Sequence, residues 1–286
     1  MFQIVIALII QIPLALHAQT FQHIDLNNIS NPYEIDYATS LVNFKGPFNT
    51  KIVNGILAPK YQFPYQAAIY IESYRGDTIF CGGSLISNDI VITAAHCIFA
   101  PPRRILVILG NTDLSKYNPT EIRVDADKFL VHHAFNPISL KNDICLLHLQ
   151  QSINFNEAVS PISLPNYNDV RRNFLNNVGV VSGFGKTTEN GDVVKNLMYL
   201  NVRIMDNQLC NEAFHDRDAG LTNICSSGFG RHGACQGDSG GPLAIDDKLI
   251  GIVSFGSKFC SNGLPTVYTR VPMFLEWISC NSNIRI

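Results

Sequence analysis

Short apolar runs rich in Ile and Val recur along the chain between Gly, Pro, Asn and Asp, and this rhythm restricts it to β-structure. Ala67-Ala68-Ile69-Tyr70-Ile71, Ile90-Val91-Ile92, Ile105-Leu106-Val107-Ile108-Leu109 and Leu249-Ile250-Gly251-Ile252-Val253 are examples. β-Branched side chains suit a pleated surface, and runs this brief between turn residues read as strands. Many such strands without intervening helices imply an all-β sandwich or barrel, and pattern alone does not choose between them. One helix is expected at the C-terminal end, where Phe274, Trp277 and Ile278 follow Pro272 at helical spacing. No internal repeat is visible. The 286 residues suffice for a substantial core and for two compact halves. The polar stretch from Asn166 to Asn177, broken by Asp169-Val170-Arg171-Arg172, is the natural linker between them.

Composition narrows the function classes. Hydrophobic residues make up 46% of the chain and charged residues only 15%, which suits a globular secreted protein. The formal net charge of -2 creates no field that would attract nucleic acid or an acidic membrane, so neither is expected as a partner. Residues 1–18 read as a signal peptide: Ile4-Val5-Ile6-Ala7-Leu8-Ile9-Ile10 is too short to span a bilayer but suits a signal-peptide core. No Lys or Arg precedes that run, and Leu16-His17-Ala18 is a mediocre cleavage signal. No other segment is apolar for long enough to anchor the chain in a membrane. A secreted, extracellular location follows, and in that oxidising compartment eight cysteines point to disulfides, with about 105 connectivities open.

Three local signatures carry the chemistry. Gly237-Asp238-Ser239-Gly240-Gly241-Pro242 frees the backbone on both sides of a serine, and upstream stand Thr93-Ala94-Ala95-His96-Cys97 and Asn142-Asp143-Ile144-Cys145-Leu146-Leu147. Singly, each has an ordinary explanation: a core histidine, a turn-capping aspartate, a serine in a flexible loop. A serine hydroxyl becomes a useful nucleophile when a base takes its proton, and that base needs an acceptor to fix its tautomer. With the order His, Asp, Ser around all three motifs, the sequence from Ile52 to about Trp277 resembles the secreted serine proteases of the chymotrypsin family.

The resemblance implies two six-stranded antiparallel β-barrels followed by a C-terminal α-helix, with the active site in the cleft between the barrels. It implies catalysis by His96, Asp143 and Ser239, with the backbone N–H groups of Gly237 and Ser239 as oxyanion donors. Residues 19–51 become a propeptide and residues 52–286 the serine peptidase domain. Lys51-Ile52-Val53-Asn54-Gly55 looks like an activation junction: cleavage after Lys51 frees an ammonium at Ile52 that can pair with buried Asp238. The propeptide has no cysteine to tether it, and its Asn28-Ile29-Ser30 is a glycosylation sequon. Partners implied are protein and peptide substrates, a trypsin-like activating protease and protein protease inhibitors.

The family's bridges correspond to Cys81–Cys97, Cys210–Cys225 and Cys235–Cys260. Cys145 and Cys280 are left over. Because the C-terminal helix of this fold packs near the segment carrying Asp143, a fourth bridge between them is expected over reduced thiols. No C-x-x-C pair or spaced His cluster supports a metal site. Calcium is not indicated, since Gly110-Asn111-Thr112-Asp113-Leu114 begins with Asn111 where the family's ion-binding loop has Glu. No cofactor is expected, and His132-His133 has no assigned role.

Specificity rests on six positions. Gly233 takes the place at the base of the primary pocket where trypsin-like members carry Asp, which removes the counter-charge for Lys or Arg. Ser254-Phe255-Gly256 matches the segment that pairs with substrate backbone and walls the pocket, and Gly256 leaves the entrance open. Thr266 makes the pocket shallower, and Phe259 restricts access further. Cleavage after an apolar or aromatic residue such as Leu, Met, Phe or Tyr is expected. The alternative is a secreted binding protein that keeps the fold without catalysis, and the intact His96, Asp143 and Ser239 argue against it.

Overall fold

The computed structural model describes residues 55–98, 101–186, 193–214, 219–230, 233–257 and 259–286. The expected signal peptide, the propeptide and the Lys51–Ile52 junction lie outside them.

Six strands close into a first antiparallel barrel: β2 (Gln66–Ser73), β3 (Thr78–Leu85), β4 (Ile90–Thr93), β5 (Pro102–Leu109), β6 (Ile122–Val131) and β7 (Cys145–Leu149). Their spatial order is β2-β3-β4-β7-β6-β5, and β5 closes the ring by pairing back onto β2. The alternating runs of the sequence supply its interior, with Ile69, Leu85, Ile92, Leu109, Leu146 and Leu147 fully buried. Burying one such side chain contributes about 1.5–3 kcal/mol.

A second ring contains β8 (Val178–Gly183), β9 (Met198–Met205), β10 (Asn223–Ser226), β11 (Pro242–Ile245), β12 (Lys248–Phe255) and β13 (Thr266–Arg270). It is closed because β8 pairs with both β11 and β9. A short β1 (Ile56–Leu57) adds to β9 from outside. The β11–β12 hairpin turns through Asp246-Asp247, both at positive φ, a two-residue turn whose twist matches the flanking strands. Ala68 and Ile108 of the first barrel meet Phe184 and Leu197 of the second in one apolar cluster. Ser182 Oγ also donates to Gln66 Oε1 at 2.6 Å across that seam.

The expected linker contains a single 3-10 turn, Tyr167–Val170, capped reciprocally by Asn166 and Asp169. Asp169 ties it to the second barrel through Lys248 Nζ at 2.9 Å. At the C-terminal end a 3-10 turn (Val271–Phe274) runs into α2 (Leu275–Cys280), and Phe274, Leu275 and Ile278 form its buried face. Helix α1 (Asn207–Ala213) has Asp206 as its N-cap.

Three disulfides form as expected: Cys81–Cys97, Cys210–Cys225 and Cys235–Cys260. The fourth does not, because Cys145 and Cys280 are both free thiols. Cys145 opens β7 and is fully buried, and burial pushes its thiol up to about 12. Cys280 is exposed. It follows buried Ile278 by two residues, about 200° around a helix, so it points away from the face that packs on the barrel.

Candidate active site

His96 is placed by the end of β4. Thr93 Oγ1 donates to Gly82 O at 2.8 Å, and the chain then enters a 3-10 turn, Ala95–Ile98, which the Cys81–Cys97 bridge fastens to β3. The imidazole remains partly open, with its side chain 25% exposed.

Asp143 sits two residues before β7, after Asn142 at φ +56°. That left-handed residue is held by its own amide, whose Nδ2 donates to Ala134 O at 2.9 Å. The Asp143 side chain is fully buried, and three donors converge on it. His96 N–H reaches Oδ1 at 2.8 Å; His96 Nδ1 and Ser254 Oγ reach Oδ2 at 2.7 and 2.6 Å. Thr269 Oγ1 donates to the Asp143 carbonyl at 2.7 Å, so residues of both barrels secure this aspartate. A carboxylate accepts only, so the proton of the neutral ring sits on Nδ1 and Nε2 is free to act as a base.

Ser239 lies on a turn whose backbone is pressed against the first barrel. Gly82 N–H donates to Ser239 O at 2.7 Å, and Gly240, at φ +80°, has no room for a Cβ: Thr93 Oγ1 would lie 2.1 Å from it and Ala94 N 3.0 Å. The serine thus faces the segment that bears His96. Cys97 Sγ lies 3.8 Å from Ser239 O and 4.0 Å from His96 Nε2. Among the described residues no hydrogen bond joins Ser239 Oγ to His96 Nε2; such bonds are often long before substrate arrives.

The N–H groups around Ser239 divide into two sets. Those of Asp238, Gly240 and Gly241 donate to Cys235 O, Val253 O and Asp238 O at 2.9, 2.8 and 2.8 Å. Among the described residues, those of Gly237 and Ser239 have no acceptor. Gly237 adopts φ +98°, and a Cβ there would come within 2.7 Å of Val193 Cγ1. Only glycine gives this turn at low cost.

Asp238 is completely buried beneath the serine. Its Oδ1 accepts from Gly185 N at 2.8 Å and its Oδ2 from Cys235 N at 2.9 Å, while burial pushes its carboxyl up to about 6. Among the described residues no cation pairs with it. Lys51 and Ile52 lie outside the description.

The expected pocket residues flank this turn. Gly233 and Thr266 are buried and face each other: a Cβ on Gly233 would meet Thr266 Oγ1 at 3.0 Å. A Cβ on Gly256 would make only ordinary contact, with Pro265 O at 3.6 Å as the nearest atom. Phe255 packs edge-on against Phe214, their centroids 5.7 Å apart. Phe259 is exposed. The Ser254 side chain is turned to Asp143, so at that position only the backbone is left to serve the pocket. The role of Ser254 toward Asp143 was not legible locally, since 111 residues separate them. In the loop where Glu would favour an ion, Asn111 Nδ2 donates to Lys116 O at 3.0 Å and also to Glu121.

Two closed barrels that bring a serine, a histidine and a buried aspartate to their seam define a chymotrypsin-like serine hydrolase. A family model described as Trypsin matches residues 52–278. The chain is 34% identical over 236 residues to Chymotrypsin of Phaedon cochleariae, covering 82% of this chain and 83% of that one. Chymotrypsin-2 of Vespa crabro is 36% identical over 232 residues, 80% of this chain and 99% of the relative. Among solved structures, that of HL collagenase is 32% identical with a TM-score of 0.74, covering 82% of this chain and 100% of the other. The chain belongs to the trypsin family of serine proteases and is a serine endopeptidase. No helix among the described residues is long and apolar enough to cross a membrane.

Proposed function

We propose that the protein is a secreted zymogen which, once cleaved after Lys51, hydrolyses peptide bonds following apolar or aromatic residues. Ser239 Oγ attacks the scissile carbonyl as His96 Nε2 takes its proton, and Asp143 stabilises the imidazolium that forms. The oxyanion is held by the N–H groups of Gly237 and Ser239. His96 then protonates the leaving amine, and water hydrolyses the acyl-enzyme by the same steps in reverse. The observation that carries this reading is the partition of backbone donors: among five successive residues, the two N–H groups suited to an oxyanion are the two without an acceptor. One such donor contributes on the order of 3 kcal/mol in related chemistry.

Gly233 argues for an uncharged substrate side chain, since it offers no carboxylate at the pocket base to meet Lys or Arg. The same feature makes self-cleavage after Lys51 inefficient, so activation falls to a trypsin-like protease. Protein protease inhibitors that present an extended loop are the other partners of such a cleft. The test is cleavage of purified proprotein after Lys51, followed by a peptide-library profile with Ser239→Ala as control. Hydrolysis by the Ser239→Ala protein, or full turnover by the uncleaved chain, would refute the proposal.

A further inference from the structure

The base of the pocket is built from hydroxyl groups. Among the described residues, the single atom within 4 Å of a Cβ placed on Gly233 is Thr266 Oγ1, at 3.0 Å, and the same oxygen lies 3.9 Å from a Cβ placed on Gly256. The hydroxyl of Thr266, rather than its methyl, therefore faces Gly233. Behind it stands Tyr268, fully buried on the same strand, with Ser226 Oγ 2.9 Å from its phenol oxygen. Thr266 stands two residues before Tyr268 on β13, so the two side chains lie on the same face of that strand. Ser226 pairs with Thr266 in the β10–β13 register, which aligns the three groups.

A hydroxyl has one proton to donate and lone pairs to accept with, so the Thr266 oxygen that faces Gly233 can do either toward a group in the pocket.

We propose that the Thr266 hydroxyl, positioned by Tyr268 and Ser226, makes this pocket select P1 side chains with an uncharged hydrogen-bonding tip over isosteres without one. Tyr is favoured over Phe, and Gln over Met. The inference rests on the protease reading and on Gly233 as the pocket base, and it adds Tyr268 and Ser226 as positioning residues. A neutral hydrogen bond contributes about 0.5–1.5 kcal/mol net, which corresponds to a preference of roughly 2- to 12-fold within each pair.

The experiment measures kcat/KM of the activated enzyme on peptides that differ only at P1, as the pairs Tyr/Phe and Gln/Met. The ratio within a pair is internal to each protein, so general loss of activity cancels. Wild-type enzyme is expected to prefer the polar-tipped member of both pairs. Thr266→Val, which keeps the shape, brings both ratios to about one, and Thr266→Ser restores them. Tyr268→Phe lowers them in the same direction, chiefly through KM for the polar-tipped peptide. Wild-type ratios at or below one, or ratios unchanged by Thr266→Val, overturn the proposal while leaving the protease reading intact. Unchanged ratios in Tyr268→Phe remove the positioning role. Absence of Ser239-dependent hydrolysis of every peptide overturns the protease reading itself.

Discussion

Ser254 Oγ donates to Asp143 Oδ2 at 2.6 Å, on the same oxygen that receives His96 Nδ1 at 2.7 Å. The second barrel thus supplies a donor to the carboxylate that orients the base carried by the first. Asp143 has no exposed surface, so this donor cannot be replaced by solvent without rearrangement.

Ser254→Ala is therefore expected to lower kcat with little change in KM. A hydrogen bond to a charged acceptor contributes about 1.5–3 kcal/mol, so a fall of roughly 10- to 150-fold is the expected range if the whole contribution is felt in the transition state. Steady-state kinetics on an activated sample checks it, and a selective rise in KM would show that Ser254 serves substrate binding instead.

Gly233→Asp is expected to weaken cleavage after apolar residues without creating a good trypsin. The new Cβ would stand 3.0 Å from Thr266 Oγ1, and among the described residues no cationic atom lies within 4 Å of it to pair with the buried carboxylate. A P1 Lys or Arg needs room as well as charge, and the Thr266 oxygen occupies the approach. Competition between Arg and Phe peptides in one reaction reads the outcome; tryptic kcat/KM above that of the parent for Phe would contradict this account of the pocket.

The strands were legible because each is a short apolar run bounded by turn residues, and that pattern needs no partner to be seen. Barrel closure was not, since it depends on pairs such as Ala67 with Leu109 and Leu243 with Val181, which only the resemblance anticipated. His96, Asp143 and Ser239 stood out through the residues flanking them. The contacts that Ser254 and Thr269 make with Asp143, and Gly185 with Asp238, did not, because these partners lie on segments far away in sequence. The Cys145–Cys280 pairing failed for a reason already present in the helix period: Phe274 and Ile278 define the inner face, and residue 280 is half a turn away from it. Thr266 was placed at the pocket from the sequence, but which of its atoms faces Gly233 required coordinates.

The two free thiols give a direct check on that correction. Cys280 is exposed and should react with a thiol reagent in the folded protein, whereas buried Cys145, its thiolate strongly disfavoured, should react only after unfolding. Cys280→Ser is expected to change stability by less than about 0.5 kcal/mol, as for other surface positions. A mass-spectrometric Cys145–Cys280 cross-link in native protein, or a loss of several kcal/mol in Cys280→Ser, would restore the fourth bridge.

Asp238 makes the stability of the uncleaved chain depend on pH. Its carboxyl titrates near 6 in the fold against an ordinary value of 3.8, chiefly through burial, with the Cys235 and Gly185 N–H groups opposing the shift. Below about pH 4 both folded and unfolded chains hold the proton, and the site is neutral in its effect. Between about pH 4 and 6 the unfolded chain releases it while the fold retains it, so stability falls as pH rises and levels off above 6. The loss approaches about 3 kcal/mol in order of magnitude. A cation paired with Asp238 reverses the situation, because the ionised form is then the favoured one in the fold. Cleavage after Lys51 is proposed to supply that cation as the Ile52 ammonium, so the activated protein should lack the fall and exceed the uncleaved one in stability at pH 7. Denaturant unfolding of Ser239→Ala protein, before and after cleavage, at pH 4, 5, 6 and 7 reads this group, since the other carboxylates of residues 52–286 are common to both forms. Identical pH slopes for the two forms would mean that the new terminus does not reach Asp238.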